Sequence, residues 1–257
     1  MTWPAKIERL RDYVTWECKD IPPDLALAII KHESAGVPGR VGGGKTKPGT
    51  IPSVSGQTYE IEHAYGLMQA APVLIQSWNE RHTDSIDTAY LEDMSGNDDR
   101  AIRMQIRLGC YYLAVCCAGL HRFSPSAFPA SSLKDADNNQ IKLSLVAYAI
   151  GLGALKKKLN QLREQELPLT IGQLKRSYPN WGRTKEGKWI NRPLHYATVV
   201  SDWYNANKSN SFDSPDKGKL SERVKTAAGK GGWILIPLLI AAGYGFYKHK
   251  KGRHENT

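Results

Sequence analysis

The sequence predicts a mainly α-helical domain followed by an apolar C-terminal segment. Three observations carry this reading. Apolar residues recur every three or four positions along several stretches, strand-like alternation is scarce, and residues 231–247 contain no charge. A chain of 257 residues, 41% of them hydrophobic, has room for one main domain with appendages.

The elements follow in chain order. Ile7, Leu10, Val14 and Cys18 fall at helical spacing and predict one amphipathic helix over residues 5–18. Pro22-Pro23-Asp24 then breaks the chain, with Asp24 as the expected N-cap of a helix that runs to about Ser34. Residues 36–60 are rich in Gly, Pro, Ser and Thr and read as a long loop. Gly39, Gly44, Lys45 and Thr46 reproduce the spacing of a phosphate-binding loop. The preceding A-G-V-P reads as no strand, however, and K-P-G-T stops any following helix, so nucleotide binding is not expected. A short helix is expected after Pro72. A long one runs from about Asp98 to Leu120, with Ile102, Ile106, Gly109, Leu113, Cys117 and Leu120 on one face, and Tyr111 and Tyr112 assigned to the core. A loop at 121–139 leads to a buried helix over Leu143–Ile150, then G-L-G and a basic helix from Ala154 to Gln165. Pro193, at the end of a loop over 179–193, suits the first turn of a last helix bearing Tyr196, Val199, Val200, Trp203 and Tyr204.

The four cysteines, Cys18, Cys110, Cys116 and Cys117, show no zinc-type spacing. The last three lie in a helical pattern as small buried hydrophobes, and a reduced, metal-free, cofactor-free protein is expected. The formal charge is +10, of which residues 208–257 carry +6. A basic tail of this kind fits anionic headgroups or wall polymers. No base-reading motif accompanies it, so sequence-specific nucleic acid is not expected as a partner. Residues 231–247 would span about 25 Å as a helix, long enough for a short transmembrane segment. Trp233, Tyr244, Phe246 and Tyr247 sit near its ends and lysines follow it. The expected organisation is a main domain over 1–205, a polar basic linker over 206–230, a single transmembrane helix over 231–247 and a basic tail over 248–257. The charged N-terminus has no signal-peptide core, and no export signal is expected there.

Four stretches carry the chemistry. P-P-D-L-A-L-A-I-I-K-H-E-S ends in Glu33 and Ser34. A-Y-G-L-M-Q-A-A-P covers residues 64–72. I-R-L-G-C-Y-Y-L-A covers 106–114. A-Y-A-I-G-L-G-A-L-K-K begins at 147 and is followed by H-Y-A-T-V-V-S-D-W-Y at 195–204. In this order they resemble the catalytic domain of the soluble-type lytic transglycosylases, the goose-lysozyme-like branch of the lysozyme superfamily, over about residues 20–205. The resemblance implies a lysozyme-like fold and peptidoglycan glycan strands as substrate. It implies Glu33 as the catalytic acid/base and Ser34 as the serine that follows it. Gly66, Leu67, Met68 and Gln69 would form the motif lining the saccharide groove, with Tyr148 and Tyr196 beside the acid. Two departures stand out. Ala149 occupies the place of the asparagine after the motif tyrosine, and the gap between Glu33 and Gly66 is long, so that Ser53 and Ser55 cannot be matched to a groove serine.

Glu33 also stands out without the resemblance. It closes an apolar run, Leu25 to Ile30, at the end of a predicted buried helix. Lost hydration and the negative end of the helix dipole both raise a carboxyl's pKa. A neutral carboxyl can protonate a glycosidic oxygen. Ordinary glycosidases need a second carboxylate; here Glu60 and Glu62 are the nearest acids in the motif region and fall in a predicted loop. This suits cleavage of the bond between N-acetylmuramic acid and N-acetylglucosamine with closure of a 1,6-anhydro ring. Alternatives are a goose-type muramidase that uses water, a wall-opening enzyme of a conjugation or secretion system, and a virion structural protein with a vestigial groove. His32 and His63 are expected to be bystanders. The expected setting is a virion membrane, with action in the periplasm during phage DNA delivery, possible partners being other virion or secretion-complex proteins.

Overall fold

The computed structural model describes residues 2–82, 86–179, 181 and 193–208. Its elements are α1 (Ala5–Glu8), α2 (Arg11–Glu17), α3 (Pro23–Glu33), β1 (Val41–Pro52), β2 (Thr58–Tyr65), α4 (Pro72–Asn79), α5 (Leu91–Ser95), α6 (Asp99–Phe123), α7 (Asn138–Ile150), α8 (Leu152–Glu164), α9 (Ile171–Ser177) and α10 (Pro193–Asn207). The mainly helical expectation holds. The segment 231–247 lies outside the described residues; among those described, no helix is long and apolar enough to cross a membrane.

The longest helix, α6, organises two apolar clusters. Ile106, Cys110, Leu113, Cys117 and Leu120 join the main core with α1, α2, α3, α7, α8 and α10. Met104 and Leu108 turn to a second cluster with Ile51 of β1, Ile75 and Trp78 of α4, and Met94 of α5. Asp98 caps α6 by accepting from the Ala101 amide at 2.9 Å, and Asp137 caps α7 by accepting from Gln140 at 2.7 Å. The body of α3 is wholly buried from Leu25 to Ile30. It lies between α2 and α10, and α10 in turn packs on α7.

Several expectations need correction. The helix over 5–18 is two helices, α1 and α2, with a turn at Arg9–Leu10. Asp24 does not cap α3: Pro22 holds the N-cap position and Pro23 the first turn. Asp24 is instead buried, accepting from Trp3 Nε1 and from Arg11 Nη2, both at 2.8 Å. These bonds supply what a buried carboxylate requires. The loop at 36–60 is largely an antiparallel hairpin, β1–β2, with register shifts between Val41 and Lys45 and between Lys45 and Gly49. Its long first strand buries only Gly49 and Ile51, near its end, which is why no alternating pattern marks it.

The cysteine expectation also changes. Cys18, just past α2, is disulfide-bonded to Cys110 of α6, with Cα atoms 5.5 Å apart, whereas Cys116 and Cys117 are free and buried. Both bonded residues are apolar core positions, so helical periodicity accounts for them without revealing that they meet.

Candidate active site

Glu33 is the last residue of α3, and the chain leaves the helix at Ser34. Ser34 is fully buried. Its hydroxyl donates to the Ile30 carbonyl at 3.1 Å and accepts from the Gly36 amide at 3.2 Å. It therefore shapes the turn after the helix and has no surface to offer a saccharide. Lys31 and His32 face away into an aromatic cluster: Lys31 Nζ lies 4.0 Å from the centroid of the Trp203 ring, and His32 meets the edge of the Tyr196 ring at 4.8 Å. His32, expected as a bystander, thus helps to seat Tyr196.

Burial pushes the Glu33 carboxyl up from the ordinary 4.5 to about 7, against smaller lowering effects from the Tyr196 hydroxyl and the Arg40 charge. Tyr196 comes from α10 and is almost fully buried. Its hydroxyl is close enough to act on Glu33, but no hydrogen bond of full geometry forms to it among the described residues. Catalytic contacts are often loose before substrate binds. Burial, and next the neighbouring Glu33, hold both the Tyr196 and Tyr148 hydroxyls well above the usual tyrosine range, so each stays a neutral donor.

The G-L-M-Q stretch is a tight loop closed by reciprocal bonds between Tyr65 and Ala70, 3.0 and 2.9 Å long. Gly66 has φ +80° and Gln69 φ +50°, both left-handed. A Cβ on Gly66 would stand 2.6 Å from Gln105 Cγ, so only glycine fits. Leu67 and Met68 are fully buried. Met68 packs so closely on α6 that a Cβ at Gly109 would approach it to 2.4 Å. The Met68 carbonyl accepts the Tyr148 hydroxyl at 2.5 Å, which ties the loop to α7. Gln69 is partly exposed, and its Nε2 donates to the Arg40 and Gly66 carbonyls, each at 2.9 Å. Within the motif, then, Gln69 reaches the surface while Gly66, Leu67 and Met68 form its foundation.

Two supports escaped the sequence reading. Gln105, 1% exposed within α6, accepts from the Gly39 amide at 3.1 Å and the Leu67 amide at 3.0 Å, and donates to the Asp93 and Gly96 carbonyls at 2.8 and 2.9 Å. It clamps the chain after Glu33 to the motif loop. Arg40 supplies its carbonyl to Gly66 and Gln69 and its charge to Glu33. A buried glutamine at a helical position facing two loops is a signal only once those loops are known to converge.

A cleft of about 440 Å³ opens beside the motif. Gln69, Tyr148, Ala149, Tyr111, Tyr112, Ser77 and Arg81 line it, with Thr46 of the hairpin. Tyr111 and Tyr112, expected in the core, are half-buried here because the face of α6 that carries them emerges between the two clusters. Tyr112 packs on Tyr148 with ring centroids 5.5 Å apart. No Asp or Glu, Glu33 included, lines the cleft among the described residues; Tyr148, whose hydroxyl feels the Glu33 charge, links its wall to the acid. Glu62 is on β2, paired with Lys45 at 2.5 Å, and Ser53 is bound to Glu92.

Neither a curated protein nor a solved structure matches the chain. The family model described as "Transglycosylase SLT domain" matches residues 15–168. That stretch is more than half the chain and includes α3 with Glu33, the 66–69 loop, α6 and the Tyr148 end of α7. With this match the chain belongs to the SLT transglycosylase domain family, whose lysozyme-like fold and peptidoglycan substrate are its own.

Proposed function

We propose that the protein is a lytic transglycosylase in which Glu33 alone serves as acid and base at the bond between N-acetylmuramic acid and N-acetylglucosamine. The observation that carries this reading is the Glu33 carboxyl, half-buried at the end of α3 and holding its proton to about pH 7. In the first step Glu33 gives its proton to O4 of the leaving N-acetylglucosamine as the C1–O4 bond breaks. The N-acetyl oxygen of the muramoyl residue supports the positive charge at C1. In the second step the Glu33 carboxylate takes the O6 proton while O6 bonds to C1. The 1,6-anhydro ring closes and the acid is restored. A pKa near neutrality serves both steps, donor and acceptor. Tyr196 orients the carboxyl, and Tyr148 holds the loop whose Gln69 faces the cleft. Ala149, where the family's motif carries asparagine, lines the cleft without a hydrogen-bonding side chain, so the substrate is held by fewer polar contacts at that point.

A zymogram with peptidoglycan, comparing wild type with Glu33→Gln, tests the acid: clearing by the variant equal to wild type would overturn its role, and no clearing by either would favour a saccharide-binding protein. Mass spectra of the released muropeptides test ring closure. Anhydro ends support it, and reducing ends would place the chemistry with water, as in a muramidase. The apolar segment 231–247 and the lysines after it support membrane anchoring. Local wall opening while phage DNA enters a cell is the setting this organisation fits, and a conjugation or secretion machine is the other. Fractionation of a host expressing the full chain and a chain truncated after residue 230 tests the anchor: equal solubility of the two argues against it.

A further inference from the structure

Arg81 is the one charged residue lining the cleft among the described residues. It sits just past α4, its amide donating to the Trp78 carbonyl at 3.0 Å. Its side chain is exposed, and its Nη1 donates to the Tyr111 hydroxyl at 2.5 Å. Tyr111 is itself braced edge-on against Trp78, with ring centroids 5.0 Å apart. The guanidinium is therefore anchored at one nitrogen, and its other donors meet no partner among the described residues. No acid pairs with it among the described residues. Three arginines on α6 differ: Arg100, Arg103 and Arg107 each bind a carboxylate. The rest of the cleft wall is apolar or neutral, with Val73, Leu74, Val115 and Ile150 prominent.

A neutral glycan gives a fixed cation nothing to pair with. The wall polymer carries its carboxylates on the peptide stems, which hang from the lactyl group of muramic acid. An arginine fork suits a carboxylate geometrically, by two parallel hydrogen bonds. Its anchoring to Tyr111 also lessens the entropy lost on binding. We propose that Arg81 binds a carboxylate of the peptide stem, so that the cleft prefers glycan strands whose stems carry free carboxylates to strands whose stem carboxylates are blocked. This rests on the proposed glycan-cleaving function and names a feature of its substrate.

The test compares peptide-bearing strands with the same strands whose stem carboxylates have been converted to amides by carbodiimide coupling. For each, kcat/KM and, by anisotropy of labelled strands, affinity are measured for wild type, Arg81→Gln, Arg81→Lys and Tyr111→Phe. The expected result is a preference of about tenfold for strands with free stem carboxylates in wild type, the size of one charge-assisted hydrogen-bonded contact in an open cleft. Arg81→Gln abolishes that ratio, Arg81→Lys retains part of it, and Tyr111→Phe, which frees the guanidinium, reduces it. A ratio in Arg81→Gln equal to that of wild type overturns the proposal while leaving the Glu33 chemistry intact. So does a wild type without preference. If wild type cleaves neither strand, the glycan-cleaving function fails. The affinity ratio then decides Arg81 separately: its collapse in Arg81→Gln supports carboxylate recognition, and its persistence refutes it.

Discussion

Replacing Glu33 by glutamine should make the protein more stable at neutral pH, and the gain should depend on pH in a defined way. In the unfolded chain Glu33 ionises near its ordinary 4.5, whereas in the folded protein burial holds the proton to about 7. Below pH 4.5 the acid is neutral in both states and contributes no difference. Between 4.5 and 7 the folded protein binds the proton that the unfolded chain has released, so stability falls as pH rises. Above 7 the full penalty is present. A shift from 4.5 to about 7, at 1.36 kcal/mol for each unit, corresponds to about 3 kcal/mol. In a domain of this size that is on the order of 6–12 °C in melting temperature. Glutamine keeps the shape and cannot ionise. Whatever its new hydrogen bonds contribute is independent of pH and drops out of the slope. Melting curves of wild type and Glu33→Gln from pH 4 to pH 8 measure the difference directly. It should be smallest at pH 4, widen through pH 5–7 and level off above. A difference that stays constant over this range, or narrows as pH rises, would refute a half-buried acid with a raised pKa, and with it the reason to cast Glu33 as proton donor.

Three further outcomes follow from the same geometry. Tyr196→Phe removes a hydroxyl that lowers the Glu33 pKa but completes no hydrogen bond of full geometry, so the alkaline limb of the pH–activity profile should move to higher pH while urea stability changes by less than about 1 kcal/mol; an unmoved limb would exclude Tyr196 from the acid's environment. Gly66→Ala places a Cβ at φ +80° and 2.6 Å from Gln105 Cγ, and should cost about 2–4 kcal/mol in denaturant titrations, since it strains the backbone and displaces the Gln105 clamp together. The Cys18–Cys110 bond closes a loop with a sequence separation of 92, for which chain entropy gives about 4–5 kcal/mol, so melting should fall by at least about 10 °C in a strong reductant or in Cys18→Ser, and a melting point indifferent to thiols would show that the bond does not form.

The sequence made some of this legible and hid the rest for physical reasons. α3, α6 and α10 are visible because each buries a continuous apolar stripe and begins at a recognisable signal, Pro23, Asp98 and Pro193. Glu33 is visible because it ends such a stripe, whereas Gly66 is singled out only by the resemblance of the 64–72 stretch, and its left-handed φ of +80° appears only in the structure. The β1–β2 hairpin is not, since its strands lie largely at the surface and their pairing answers to α4 and α5 instead of to an internal alternation. Gln105 reads as one more polar residue on an amphipathic helix until the Gly39 and Leu67 amides are seen to meet at it. The Cys18–Cys110 pair is hidden by the same kind of distance along the chain: both cysteines satisfy the apolar pattern, and the pattern is silent on which buried atoms touch.

The two largest magnitudes belong together. A half-buried acid with a pKa near 7 costs the folded state about 3 kcal/mol at neutral pH, a large part of the stability of an ordinary domain. The disulfide offsets a cost of that size, and it does so at the right place. Cys18 sits just before the Pro22–Pro23 start of α3, the helix that carries Glu33. Cys110 adjoins Gly109, the position that receives Met68, and its sulfur lies 3.9 Å from the Met68 sulfur. The covalent tie therefore joins the segment leading into the acid's helix to the helix on which the motif loop rests.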